Sequence, residues 1–88
     1  MAAYVVETYL SRQGAQDLGS IEERVRRAAE DLTRDGVNVR HVQSVFVPDD
    51  EMCFHFFDAA SAACVRAAGE RAAIDFDRIS EAMYWSEK

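Results

Sequence analysis

Hydrophobic and polar positions along the chain switch between a period of two and a period near 3.6, and the switches mark out six elements. Residues 3–10 (AYVVETYL) are rich in β-branched and aromatic side chains and too few for a stable helix, so they predict a first strand. A loop over residues 14–19 follows. Residues 20–23 (SIEE) fit a capping box, in which the Ser20 hydroxyl accepts from the Glu23 amide and the Glu23 carboxylate reaches back. From there Ile21, Val25, Ala28, Ala29 and Leu32 lay one apolar stripe along a helix that ends before Gly36. Its other face carries Glu22 with Arg26, Glu23 with Arg27 and Glu30 with Arg34, each an i,i+4 pair with the acid first, which reads as a solvated surface.

Residues 37–47 alternate and are β-branched, Pro48-Asp49-Asp50 turns the chain, and residues 51–57 (EMCFHFF) continue as a second strand of a hairpin. Asp58 or Ser61 caps a second, alanine-rich helix running to about Arg71, with Cys64 and Val65 as its bulkier apolar groups. Residues 78–85 (RISEAMYW) form the last strand. The order β-α-β-β-α-β predicts one α+β, ferredoxin-like domain over residues 1–88: a four-stranded antiparallel sheet with two helices on one face.

In that fold the first and third strands are central. The third is apolar on both faces here, Met52, Phe54 and Phe56 on one and Cys53 and Phe57 on the other. Two helices cover only one side. The uncovered side therefore predicts a homodimer, joined face to face or edge to edge; the alternative is a monomer whose bare face holds a ligand.

Composition narrows the partners. Fourteen of the 88 residues are alanine, which leaves a modest supply of bulky core groups and strengthens the case for a partner subunit. Sixteen acidic against ten basic residues give a net charge of -6, which repels phosphate backbones and anionic lipid and argues against nucleic acid or membrane partners. No apolar run approaches the roughly 18 residues of a bilayer span, and no charged leader precedes an apolar stretch, so a cytoplasmic protein is expected.

Catalytic motifs are absent: there is no Gly-rich phosphate loop, GxSxG elbow, CxxC pair or HExxH. What remains is a set of ionisable groups inside strands. Cys53 and His55, two apart, share a strand face and could share one metal ion, doubled to Cys2His2 across a two-fold axis; each also fits an ordinary packed strand residue. Glu7 and Glu81 lie on neighbouring strands. If both face the uncovered side near His41 or His55, they suit a divalent metal or a general acid/base; otherwise they pair with Arg12, Arg40 or Arg78. Tyr4, Tyr9, Phe46, Phe56, Tyr84 and Trp85 could line a pocket for a flat ligand or pack in a core or interface. Cys53 and Cys64 are expected to be reduced.

The blocks YVVET, VRHVQSVFVPDDEMCF, FDAASAACVRAAGERA and FDRISEA resemble a family of small actinobacterial proteins of largely undefined function, best known for a nickel-responsive, nickel-binding member. The resemblance implies a homodimer of the dimeric α/β barrel type that binds nickel, another divalent metal or a small ligand without catalysis. Matched positions are Glu7, Ser44, Cys53 and Glu81. The family pattern carries His or Arg just before the serine matching Ser44 and often His in the second helix. Here Gln43 and Ala68 stand there, so the imidazoles best suited to nickel are missing, and His41 and His55 are the ones present. The alternative function is a cofactor-free enzyme of the same barrel group, a monooxygenase, cyclase or isomerase of a small aromatic or polyketide-like substrate, with His41, His55, Glu7 and Tyr9 as candidates.

Overall fold

The computed structural model describes residues 1–85. Ala2–Tyr9 form β1, Leu18–Arg34 α1, Val39–Val47 β2, Met52–Ala59 β3, Ala62–Arg71 α2 and Arg78–Ala82 β4. The strands pair antiparallel in the order β2-β3-β1-β4, with β1 and β3 central. Both helices pack on one side of the sheet, giving the ferredoxin-like α+β fold that the element order implied.

β3 alternates strictly. Cys53, His55, Phe57 and Ala59 are buried under the helices, while Met52, Phe54, Phe56 and Asp58 are partly exposed on the open side. Direct pairing carries the same parity into β1, where Tyr4, Val6 and Thr8 stand opposite Phe57, His55 and Cys53. The core joins Val6, Val39, Phe57 and Ala59 of the sheet to Val25, Ala28 and Ala29 of α1 and to Val65 and Ala68 of α2. Small helix residues let the backbones settle close to the sheet. Gly69 shows how tight this is: a Cβ there would lie 2.8 Å from the Phe76 ring, which folds back over α2 and also receives the Arg66 guanidinium at 5.5 Å.

The stripe read from the sequence is the one α1 buries, but the helix starts earlier than residue 20. Ser11 accepts from the Gly14 amide at 3.1 Å and opens a 3-10 turn, Arg12–Asp17, that runs directly into α1. The Leu18 amide is satisfied by the Ala15 carbonyl. Ser20 thus falls inside the first turn and the SIEE capping box does not form, because a preceding turn already supplies acceptors to the helix start. On the exposed face Arg26 and Arg27 meet Glu22 and Glu23, but Arg34 bonds Asp31 rather than Glu30. At the other end Val37 donates to the Leu32 carbonyl (2.9 Å) and Gly36 to that of Thr33 (3.1 Å), a Schellman motif with Gly36 at φ 92°.

Ser61, not Asp58, caps α2, accepting from the Cys64 amide at 3.4 Å. Asp58 stays in β3 and pairs with Arg40 at 2.6 Å. The last strand stops at Ala82, so Met83, Tyr84 and Trp85 lie beyond it, exposed; Tyr84 leans over the open side to within 6.1 Å of the Phe56 ring. That open side carries Val5, Val45, Val47, Met52, Phe54 and Phe56. Among the described residues no helix is long and apolar enough to cross a membrane.

The left-handed turn at Gly36 gives a direct check on how α1 is ended. Gly36→Ala is expected to lower unfolding free energy by about 1 kcal/mol with no change of fold, measured by urea denaturation.

Candidate functional site

A strand of regular alternation would send His41 and Ser44, three residues apart, to opposite faces. β2 is not regular. His41 stands opposite Phe57 and Gln43 opposite Phe56, so Val42 is an extra residue, a β-bulge, and the register resumes with Ser44 opposite His55. Both His41 and Ser44 consequently face the helices, beside His55 of the central strand. The Ser44 hydroxyl lies 2.6 Å from Nδ1 of His55 and 3.0 Å from Nε2 of His41, and the two rings are 6.4 Å apart.

The direction of this relay follows from its surroundings. His55 has one nitrogen on Ser44 and the other without a partner, so the cheaper tautomer carries its proton on Nδ1: His55 donates from Nδ1 to Ser44, and the Ser44 hydroxyl donates to Nε2 of His41. This leaves Nε2 of His55 as a bare lone pair, fully buried and with no hydrogen-bond partner. Of the two tautomers it is the less costly one, because an orphaned acceptor is better tolerated than an orphaned donor.

Burial dominates the electrostatics. It pushes the His55 pKa down to about 4, helped by the neighbouring His41. His41 is also lowered, chiefly by burial and by Arg26 of α1, against the opposing pull of Glu22 and the Gln43 backbone. Both imidazoles are therefore neutral near pH 7 and act through hydrogen bonds rather than charge.

His41 also forms part of the wall of an open cavity of about 470 Å³ between the C-terminal half of α1 and the start of β2. Ala29 and Val39 give it apolar walls; Arg26, Arg34, Arg40 and Glu30 stand around it. The relay thus leads from a solvent-reached cleft inward to the core.

The other residues singled out from the sequence scatter. Cys53 shares the helix side with His55, as its spacing required, but both are buried away from the open face where a metal shared across a two-fold axis would sit. Burial pushes the Cys53 thiol up, the wrong direction for a thiolate ligand, with an opposing Thr8 hydrogen bond. It borders a separate hollow of about 240 Å³ with Thr8, Tyr9 and Ile74. Glu7 lies on the open side and bonds Arg78 at 3.0 Å, the pairing that was the alternative to a carboxylate cluster. Glu81 stands opposite Tyr4, on the other side of the sheet, so Glu7 and Glu81 do not meet. Among the described residues no three His, Cys, Asp or Glu side chains of one chain come together to hold a metal ion. The sequence shows Ser44 and both histidines but not their meeting, because nothing in the alternation of residues 37–47 betrays the bulge.

The chain shares its fold with SCO4226 from Streptomyces coelicolor A3(2). The crystal structure of that protein superposes with a TM-score of 0.66, covering 97% of this chain and 100% of that one at 18% sequence identity. No family model and no curated protein matches the chain.

The depressed His55 pKa fixes a pH dependence. Between pH 6.5 and about 4 the unfolded chain takes up a proton that folded His55 refuses, so stability falls as pH drops through that window, by about 3 kcal/mol near its lower end. His41, lowered in the same direction, adds to the fall. In urea denaturation at pH 7 and pH 4.5, His55→Leu is expected to lose markedly less stability on acidification than the parent; equal losses would contradict the assignment.

Proposed function

We propose that this chain is a non-enzymatic, homodimeric small-ligand-binding protein. Its ligand enters the cleft between α1 and β2 and is recognised by His41, with Ser44 and His55 fixing that ring from behind. The observation that carries the reading is the relay itself. Three hydrogen-bonded polar side chains, brought together by a bulge, occupy a place where apolar groups would be cheaper to bury, and they end at a cavity of ligand size. The resemblance to the family with a nickel-binding member supports a ligand-binding role in this fold, and a small ligand is favoured over a metal because Gln43 and Ala68 stand where that pattern carries imidazoles.

The second copy is proposed to cover the open side of the sheet. Its charged groups are already neutralised in plane, Arg40 by Asp58 and Arg78 by Glu7, so two such faces can meet without net repulsion although the chain carries -6. The molecule is a slab of 36 × 34 × 21 Å, and its broad face is large enough for the roughly 800 Å² per partner of a stable interface.

A cofactor-free enzyme draws on one observation, the Ser44 hydroxyl donating to a neutral His41 at a cavity wall, the arrangement of a base beside a hydroxyl. Chemical change of a bound compound, lost in His41→Phe, would favour that reading.

Sedimentation equilibrium is expected to give twice the 9.9 kDa chain mass, and Phe56→Arg, on the open side, to give the single-chain mass. For the ligand, a crystallographic or NMR screen of small aromatic and aliphatic compounds should shift His41 and Ser44 resonances, with binding weakened roughly tenfold in His41→Phe. Hits that all map elsewhere would overturn the assignment.

A further inference from the structure

The cleft reverses the charge of the molecule around it. Three of the chain's ten basic residues, Arg26, Arg34 and Arg40, stand on its rim, against Glu30 alone of the sixteen acids. Their carboxylate partners do not border the cleft. Arg34 is held by Asp31 through Nη2, Arg26 stands 3.7 Å from Glu22 and 3.4 Å from Glu23, and Arg40 turns its guanidinium to Asp58 on the open side of the sheet. A guanidinium has five N–H donors, so each arginine is braced by an acid and keeps donors to spare.

We propose that the cleft binds a small organic carboxylate, its anionic end held by Arg26 and Arg34 of α1, and its apolar body lying on Ala29 and Val39 beside His41. This rests on the reading of the cleft as the ligand site and adds the class of ligand. The planar fork of an arginine matches a carboxylate, and largely apolar walls suit a hydrocarbon body. Glu30 and the overall charge of -6 favour a single negative charge over a phosphate dianion.

Three matched probes test it: phenylacetate, its neutral amide 2-phenylacetamide, and 2-phenylethylamine, titrated by NMR at low and high salt. Phenylacetate is expected to bind roughly tenfold or more tighter than the amide, with the advantage shrinking in high salt, and the amine weakest. Arg26→Gln with Arg34→Gln should remove the advantage and leave amide binding unchanged. Glu30→Gln, which removes the acid on the rim, should tighten phenylacetate. Equal binding of acid and amide at His41 would overturn the carboxylate assignment while leaving the cleft as a ligand site. Carboxylate binding indifferent to all three substitutions would overturn it too. Failure of every probe to shift His41 would remove both.

Discussion

The organising constraint is the burial of one imidazole in the middle of the central strand. β3 is covered by helices on the side that carries Cys53, His55, Phe57 and Ala59, and strict alternation leaves His55 no route to water. A polar ring so placed is costly unless it is bonded, and the hydroxyl that bonds it, that of Ser44, belongs to the neighbouring edge strand. The bulge at Val42 delivers them. It turns Ser44 to the helix side without moving His41 off it, so one hydroxyl can bond both rings. Local irregularity in β2 and a polar core position in β3 are two halves of one arrangement, and neither makes sense without the other.

The thinness of the helical layer follows from the same sheet. α1 and α2 present Ala28, Ala29, Ala68 and Gly69 to the strands, so they lie low and contribute little apolar bulk of their own. Most of the large apolar side chains are on strands, and half of those face the open side. Cross-strand ion pairs at the two ends of that side, rather than scattered single charges, leave Val5, Phe54, Phe56 and Val45 as a continuous apolar strip between them. Tyr84 shields Phe56 only in part. The layered asymmetry of the molecule is thus written in which strand residues are large, not in the helices.

Much of this was legible in the sequence, for physical reasons that differ by element. The stripe from Ile21 to Leu32 and the Gly36 stop are local signals, and the helix obeys both; its start departs from the capping-box pattern because such a box is only one of several ways to satisfy the first amides, and here a 3-10 turn does it. The parity of residues 51–57 could be read directly, since a central strand has no freedom to slip. Pairing of Glu7 with Arg78 was one of two open choices, and only the β1–β4 register decides it by placing the two side by side. The candidate site was legible residue by residue but not as a site. His41, Ser44 and His55 each stand out as polar residues in strands, yet one unpaired residue in β2 sets their common orientation, and a bulge leaves no trace in a run of alternating β-branched residues.

An apolar trio in place of His41, Ser44 and His55 would remove an orphaned lone pair and the acid sensitivity that comes with it, so the relay lowers stability relative to what this fold could reach. Natural sequences keep such arrangements where a group must be held in one orientation, and networks of bonded polar groups do that better than packing alone. The His41 ring is the member of the set that reaches the cleft. Its orientation is fixed by Ser44 on Nε2 and by the Phe57 ring packed edge-on 5.5 Å away, its charge is suppressed by burial, and β2 lies at the sheet edge, where a bulge disturbs the fewest ladder bonds. Each of these features lowers the freedom of one side chain at the mouth of one cavity, which is what recognition requires and what a purely structural core would have no reason to supply.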